Sequence, residues 1–234
     1  MREIDTYASQ KGQLDHLMEV MPLMWLSPTD SGHFIPSYML RLSRDQECYY
    51  FIIWWNIEPP CSPPNWKGPW LRYRETAGAD PLEPIECLPL RSNQVAQSIP
   101  LVLLKIRIRQ DLMALKETFA VVGRRLPSEL SDMIMQMVIQ FPIVAESMKF
   151  LEHQDLTKLI DQVDLQIAEL YNEVKEMNPY FWQILANKER YAEVEIKQYE
   201  RGSEEAGHVL VQETYAGWAE TPGALDVIRK RLNN

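Results

Sequence analysis

One run of apolar residues governs what this chain can become. Leu156, Ile160, Val163, Ile167, Leu170, Val174 and Met177 recur at alternating steps of four and three, directly after Asp155. That spacing predicts a helix with an a/d seam across three heptads and Asp155 as its N-cap. A rod of this kind must have its apolar side covered, by its own chain or by a second copy. The expected fold is therefore mostly α, an irregular helical bundle.

Other stretches carry the same period. Leu14, Leu17, Met18 and Met21 predict a first helix from about Arg2, with Pro22 as its stop. Leu104, Ile108, Leu112, Leu115, Phe119 and Val122 predict a long helix opened by Pro100 and closed by Gly123. A shorter one over 127–140 shows Leu130, Met133, Ile134, Met137 and Val138 on one face, and Pro142 interrupts it. Asn178-Pro179 restarts a helix that Gly202 can end, Ser203 opens another, and Thr221-Pro222 opens a short basic C-terminal helix. Two places are ambiguous. Residues 37–56 have strand-forming aromatics but also fit a helical stripe, and helix is preferred; Val194–Ile196 could pair with Val209–Val211 as a hairpin.

Between these lies an oddity. Nine of the sixteen prolines, with Trp66 and Trp70, fall between Glu58 and Pro100. Proline removes donors and fixes φ, so an extended segment packed on the body is expected. The division is thus 1–57 as an N-terminal helical region, 58–99 as a Pro/Trp-rich extended segment and 100–234 as the helical bundle, together one continuous domain.

Charge narrows the partners. Lys and Arg number 24 against 33 Asp and Glu, a net charge of −9, which disfavours nucleic acid and anionic membrane. Six cations face two anions over 101–126, and six face thirteen over 151–205. Those two segments are expected to be solvated helix faces that can pair with each other. Cys48, Cys61 and Cys87 lie far apart, and with no apolar leader this suggests a reducing compartment, cytoplasmic or nuclear. No nucleophile elbow, phosphate-binding glycine loop or zinc-helix motif occurs. Glu205 and His208 match half of a di-iron pattern that has no second half, so a surface histidine is preferred. No cofactor or metal is expected. Trp54, Trp55, Trp66 and Trp70 could cage a cation, although anchoring to the helices is the simpler role.

One short stretch resembles a known family. Leu126-Pro127-Ser-Glu-Leu130-Ser-Asp-Met-Ile134-Met-Gln-Met137-Val138 is similar to the opening of an F-box motif, in which a Leu-Pro pair starts an amphipathic helix. The resemblance implies docking onto the adaptor subunit of a ubiquitin ligase. It covers thirteen residues, lies mid-chain and lacks the motif's later half. The texture around Gly123-Arg-Arg-Leu126 is also similar to that of filamentous-fungal proteins, which implies no function. The leading expectation is a non-enzymatic interaction protein that binds a protein partner or itself. Leu126, Pro127, Leu130, Ile134 and Met137 are one candidate face, and the seam from Leu156 to Val174 is the other. The alternatives are an F-box-like adaptor and a small-molecule pocket under the aromatic segment, using Glu58, Arg72, Tyr73 or Arg74.

Overall fold

The computed structural model describes residues 6–24, 34–57, 78–83, 95–122, 128–146, 155–187 and 199–233. They form ten helices and no strand: α1 (Tyr7–Met24), α2 (Ile35–Arg41), α3 (Asp45–Ile57), α4 (Val95–Val122), α5 (Ser128–Val138), α6 (Pro142–Glu146), α7 (Leu156–Met177), α8 (Phe181–Ala186), α9 (Glu204–Glu220) and α10 (Ala224–Leu232). The fold is the expected mostly α, irregular bundle. No helix among the described residues is long and apolar enough to cross a membrane.

The core is organised on α4, whose residues from Ala96 to Ile108 are all buried. A helix surrounded on every side has no single apolar stripe, and its polar residues must find partners inside the protein. It begins at Val95, five residues before the proline that was expected to open it. Pro100 cannot donate to the carbonyl one turn back. Burial of Ile99, worth about 2 kcal/mol, offsets one missing bond worth about 1 kcal/mol. Pro22 likewise fails to stop α1, which runs on to Met24.

Residues 37–56 are helical but broken in two. Ser43 takes a left-handed φ of 55°, and the Arg44 N–H donates back to the Met39 carbonyl, closing α2 in a Schellman-type turn. Asp45 and Glu47 then start α3, where acids suit the positive end of the helix dipole.

The longest packing contact joins α4 to α7. Asp155 caps α7 as expected, accepting from the Thr157 N–H at 2.9 Å. Ile160, Val163, Ile167, Leu170 and Val174 are buried and Leu156 is half-buried. The seam is therefore filled within the chain. Its candidate role as a docking or dimer surface is corrected, because α4 already occupies it.

Asn178 fixes the next turn. Its Oδ1 accepts from the Tyr180 and Phe181 N–H groups, and its Nδ2 donates to the Ser203 carbonyl at 3.0 Å. One buried amide thus ends α7, starts α8 and positions the Ser203 cap of α9. The restarted helix stops at Ala186 rather than near Gly202. Val209–Val211 belong to α9, which removes the hairpin; Val194–Ile196 lie outside the described residues. Gly207 lets α9 approach α8, since a Cβ there would sit 3.0 Å from Ile184 Cδ1 and 3.2 Å from Asn178 Oδ1.

Candidate functional site

The first candidate face behaves differently from the seam. On α5, Leu130, Met133 and Met137 are 47%, 59% and 81% exposed, and Ile134 is half-buried. Steps of three and four place all four on one side of the helix. α5 instead turns Met135 inward. Its far end is pinned by buried Asp111 of α4, whose carboxylate accepts from the Gln140 and Phe141 N–H groups at 3.0 and 2.9 Å. Phe119 and Val121, near the end of α4, add further exposed apolar surface. Leu126 and Pro127 lie outside the described residues.

Two cations read as solvated are buried, which corrects that expectation for them. Arg107 donates to Asp45 Oδ1 at 2.6 Å, to the Leu40 carbonyl at 2.9 Å and to Thr221 Oγ1 at 2.8 Å, under the ring of Phe141. Burial holds the Asp45 carboxyl above its ordinary value, and the Arg107 charge opposes that rise. Among the described residues, the expected pairing between the two charged segments occurs as Arg109–Asp164 at 2.6 Å.

Lys105 is the second, fully shut off from water. Its Nζ donates to the Pro81 carbonyl at 2.6 Å and lies 5.9 Å from the centre of the Tyr49 ring. Around it, residues 78–83 are held by side chains from three helices. Tyr49 of α3 bonds the Asp80 carbonyl and Glu83 Oε1, while Gln162 and Gln166 of α7 donate to the Leu82 and Glu83 carbonyls. This part of the proline-rich segment is packed as expected, but by polar groups on its main chain as well as by buried Leu82.

Burial lowers Lys105 from 10.5 to about 8, against the opposing pull of Asp80 and Glu83. Between those two values the unfolded chain holds a proton that the folded chain has released, so stability rises with pH across that window. Wild type should gain about 3 kcal/mol relative to Lys105→Met between pH 7.5 and 10.5. Urea unfolding of both proteins checks this, since every other titration cancels in the difference. Parallel pH curves would show that the ammonium is solvated.

The remaining candidates contribute little. Trp54 and Trp55 pack on Phe51 with ring centres 5.6 Å apart, whereas Trp66, Trp70, Glu58, Arg72, Tyr73 and Arg74 lie outside the described residues. Glu205 is exposed and His208 half-buried. The Glu205 carboxyl sits below its ordinary value because its own backbone N–H, the Ser203 side chain and His208 favour the charged form. No group of three or more His, Cys, Asp or Glu side chains is placed to hold a metal among the described residues. Cys48 is buried and free; burial, with Asp45 nearby, raises its thiol well above the ordinary value, so the reactive thiolate is suppressed.

Comparison with known proteins gave no match: no family model, no curated protein and no solved structure matches the chain.

Proposed function

We propose that this chain is a non-enzymatic helical interaction protein that docks an amphipathic helix of another protein against α5. The exposed stripe of Leu130, Met133 and Met137 carries the reading. Covering three such side chains contributes several kcal/mol, at roughly 1.5–3 kcal/mol for each one fully buried. A contiguous apolar patch seldom stays wet without a use. Helix-in-groove docking reads residues at this spacing.

An F-box-like adaptor is the second reading, because Leu130 and Met137 are both motif positions and exposed. Ile134, the motif's middle position, stands half-buried beside them.

A photo-crosslinking residue at position 133 or 137 should yield one discrete product, while the same residue at exposed Lys116 of α4 should not. Leu130→Glu with Met137→Glu should abolish that product and change stability by about 0.5 kcal/mol or less, as surface substitutions do. A product containing the ubiquitin-ligase adaptor favours the second reading, and one of twice the chain's mass means self-association instead. Equal crosslinking from all three positions would remove the docking face.

A further inference from the structure

Residues 78–83 sit on the body the way a bound peptide sits on a receptor. The piece is folded by itself: the Glu83 N–H donates to the Asp80 carbonyl at 3.0 Å, and Asp80 Oδ1 accepts from the Leu82 N–H at 2.9 Å. Aspartate followed by proline is a common opening of such a turn, so its shape is set locally. The helices then read its main chain. Lys105 of α4 and Gln162 and Gln166 of α7 donate to the Pro81, Leu82 and Glu83 carbonyls, three in succession, at 2.6, 3.1 and 2.9 Å. Tyr50 of α3 accepts from the Gly78 N–H at 3.0 Å. Of this segment only Pro81 and Leu82 are buried. Main-chain hydrogen bonds for affinity and a pocketed side chain for specificity are how short peptides are held.

Two features of the groove set it apart from a finished core. Lys105 is shut off from water, and the negative charge that draws on it comes from Asp80 and Glu83, both on the turn. Gln166 is 3% exposed, yet its Oε1 has no hydrogen-bond partner among the described residues. Docking therefore leaves buried polar capacity unmet, a cost that ordinary packing avoids. The groove offers donors and a cation; the turn offers carbonyls and carboxylates. That match selects the occupant, with Leu82 as its one apolar anchor.

We propose that α3, α4 and α7 form a binding groove for a short acidic turn of the form Asp-Pro-Leu, which the chain's own residues 78–83 occupy as an internal ligand until a partner's turn of the same kind replaces it. The role is separate from that of α5, which supplies none of these groups.

A capped synthetic peptide of residues 78–83, titrated calorimetrically into the full chain, tests this. The tethered turn competes at an effective concentration of roughly millimolar order, so the peptide is offered both to wild type and to Asp80→Ala, which loosens the resident turn. One peptide should bind per chain of the variant, about tenfold or more tighter than to wild type, and should raise the variant's melting temperature. A scrambled peptide, or one with alanine for its leucine, should bind about tenfold more weakly, as should the true peptide when Gln162→Ala is added to the variant. The proposal is overturned by absence of binding to Asp80→Ala up to about 5 mM, by equal binding of the scrambled peptide, or by equal affinity of variant and wild type. Hydrogen exchange of the unaltered chain supplies a second reading that needs no variant. The Leu82 and Glu83 amides should exchange by a local opening insensitive to low urea, while that of Leu103 follows global unfolding; exchange of all three only on global unfolding overturns the internal ligand.

Discussion

Replacing Arg107 by methionine should lower the unfolding free energy by about 3–5 kcal/mol, the usual cost of removing one partner of a buried ion pair. The side chain joins three regions at once: the start of α3 through Asp45, the end of α2 through the Leu40 carbonyl, and the cap of α9 through Thr221. Thr221 in turn donates to the Gly217 carbonyl, so the arginine also steadies the last turn of α9. Methionine fills most of the volume, which confines the loss to electrostatics. Asp45 is fully buried, and among the described residues its Oδ2 has no hydrogen-bond partner even with Arg107 present. Once the guanidinium is gone, that carboxyl must take up a proton or stay charged in a dry site. Its folded pKa, already raised by burial, then rises further. A raised carboxyl contributes stability at low pH and loses it as pH climbs through the folded value. The deficit of the variant should therefore be smaller at pH 5 than at pH 8. Adding Asp45→Leu should recover most of the loss, because both charges are then absent. Urea unfolding of the single and double variants checks both statements; a single-variant loss below about 1 kcal/mol would mean that the pair is hydrated.

The same pair shows where reading a sequence by period succeeds and where it stops. The seam from Leu156 to Val174 was legible because one side of α7 is buried and the other is wet, so the period of the helix is written in its residues. Asp155 and Ser203 were legible as caps because capping is local. The surroundings of Lys105 and Arg107 were not. Inside a helix buried on all sides, period carries no information about direction, and a run of cations looks like a surface. The one available signal was that Leu103, Leu104, Ile106 and Ile108 flank them on every side, which leaves no solvent face for a charge. Asp45 offered no signal at all, since its partner lies 62 residues away. The α5 face was seen as amphipathic, but nothing local could say that α5 would turn Met135 inward and leave Leu130 and Met137 out. That choice is made by tertiary contacts, among them the grip of Asp111 on the chain at Gln140 and Phe141.

Trp182→Ala should cost about 3–5 kcal/mol and melt the molecule as a unit rather than fray one helix. The helix that carries it has only six residues, too few to be stable alone. It exists because Phe181, Trp182, Ile184 and Leu185 are all buried. Trp182 is the joint: it stacks on Tyr171 of α7, meets Trp218 of α9 edge-on at 5.6 Å, and donates from Nε1 to the Tyr171 carbonyl at 3.0 Å. Truncation opens a cavity between three helices and leaves that carbonyl without this donor. Neighbouring rings cannot collapse into the space easily, since Trp218 is itself enclosed and Gly207 already brings α9 close to α8. Trp182→Phe keeps much of the volume and one ring face but loses the donor, so roughly half the penalty should remain. Calorimetry distinguishes the outcomes. A single transition at lower temperature for both variants, with the phenylalanine protein between alanine and wild type, is expected; an unchanged main transition with a small early one would show that α8 is only an appendage.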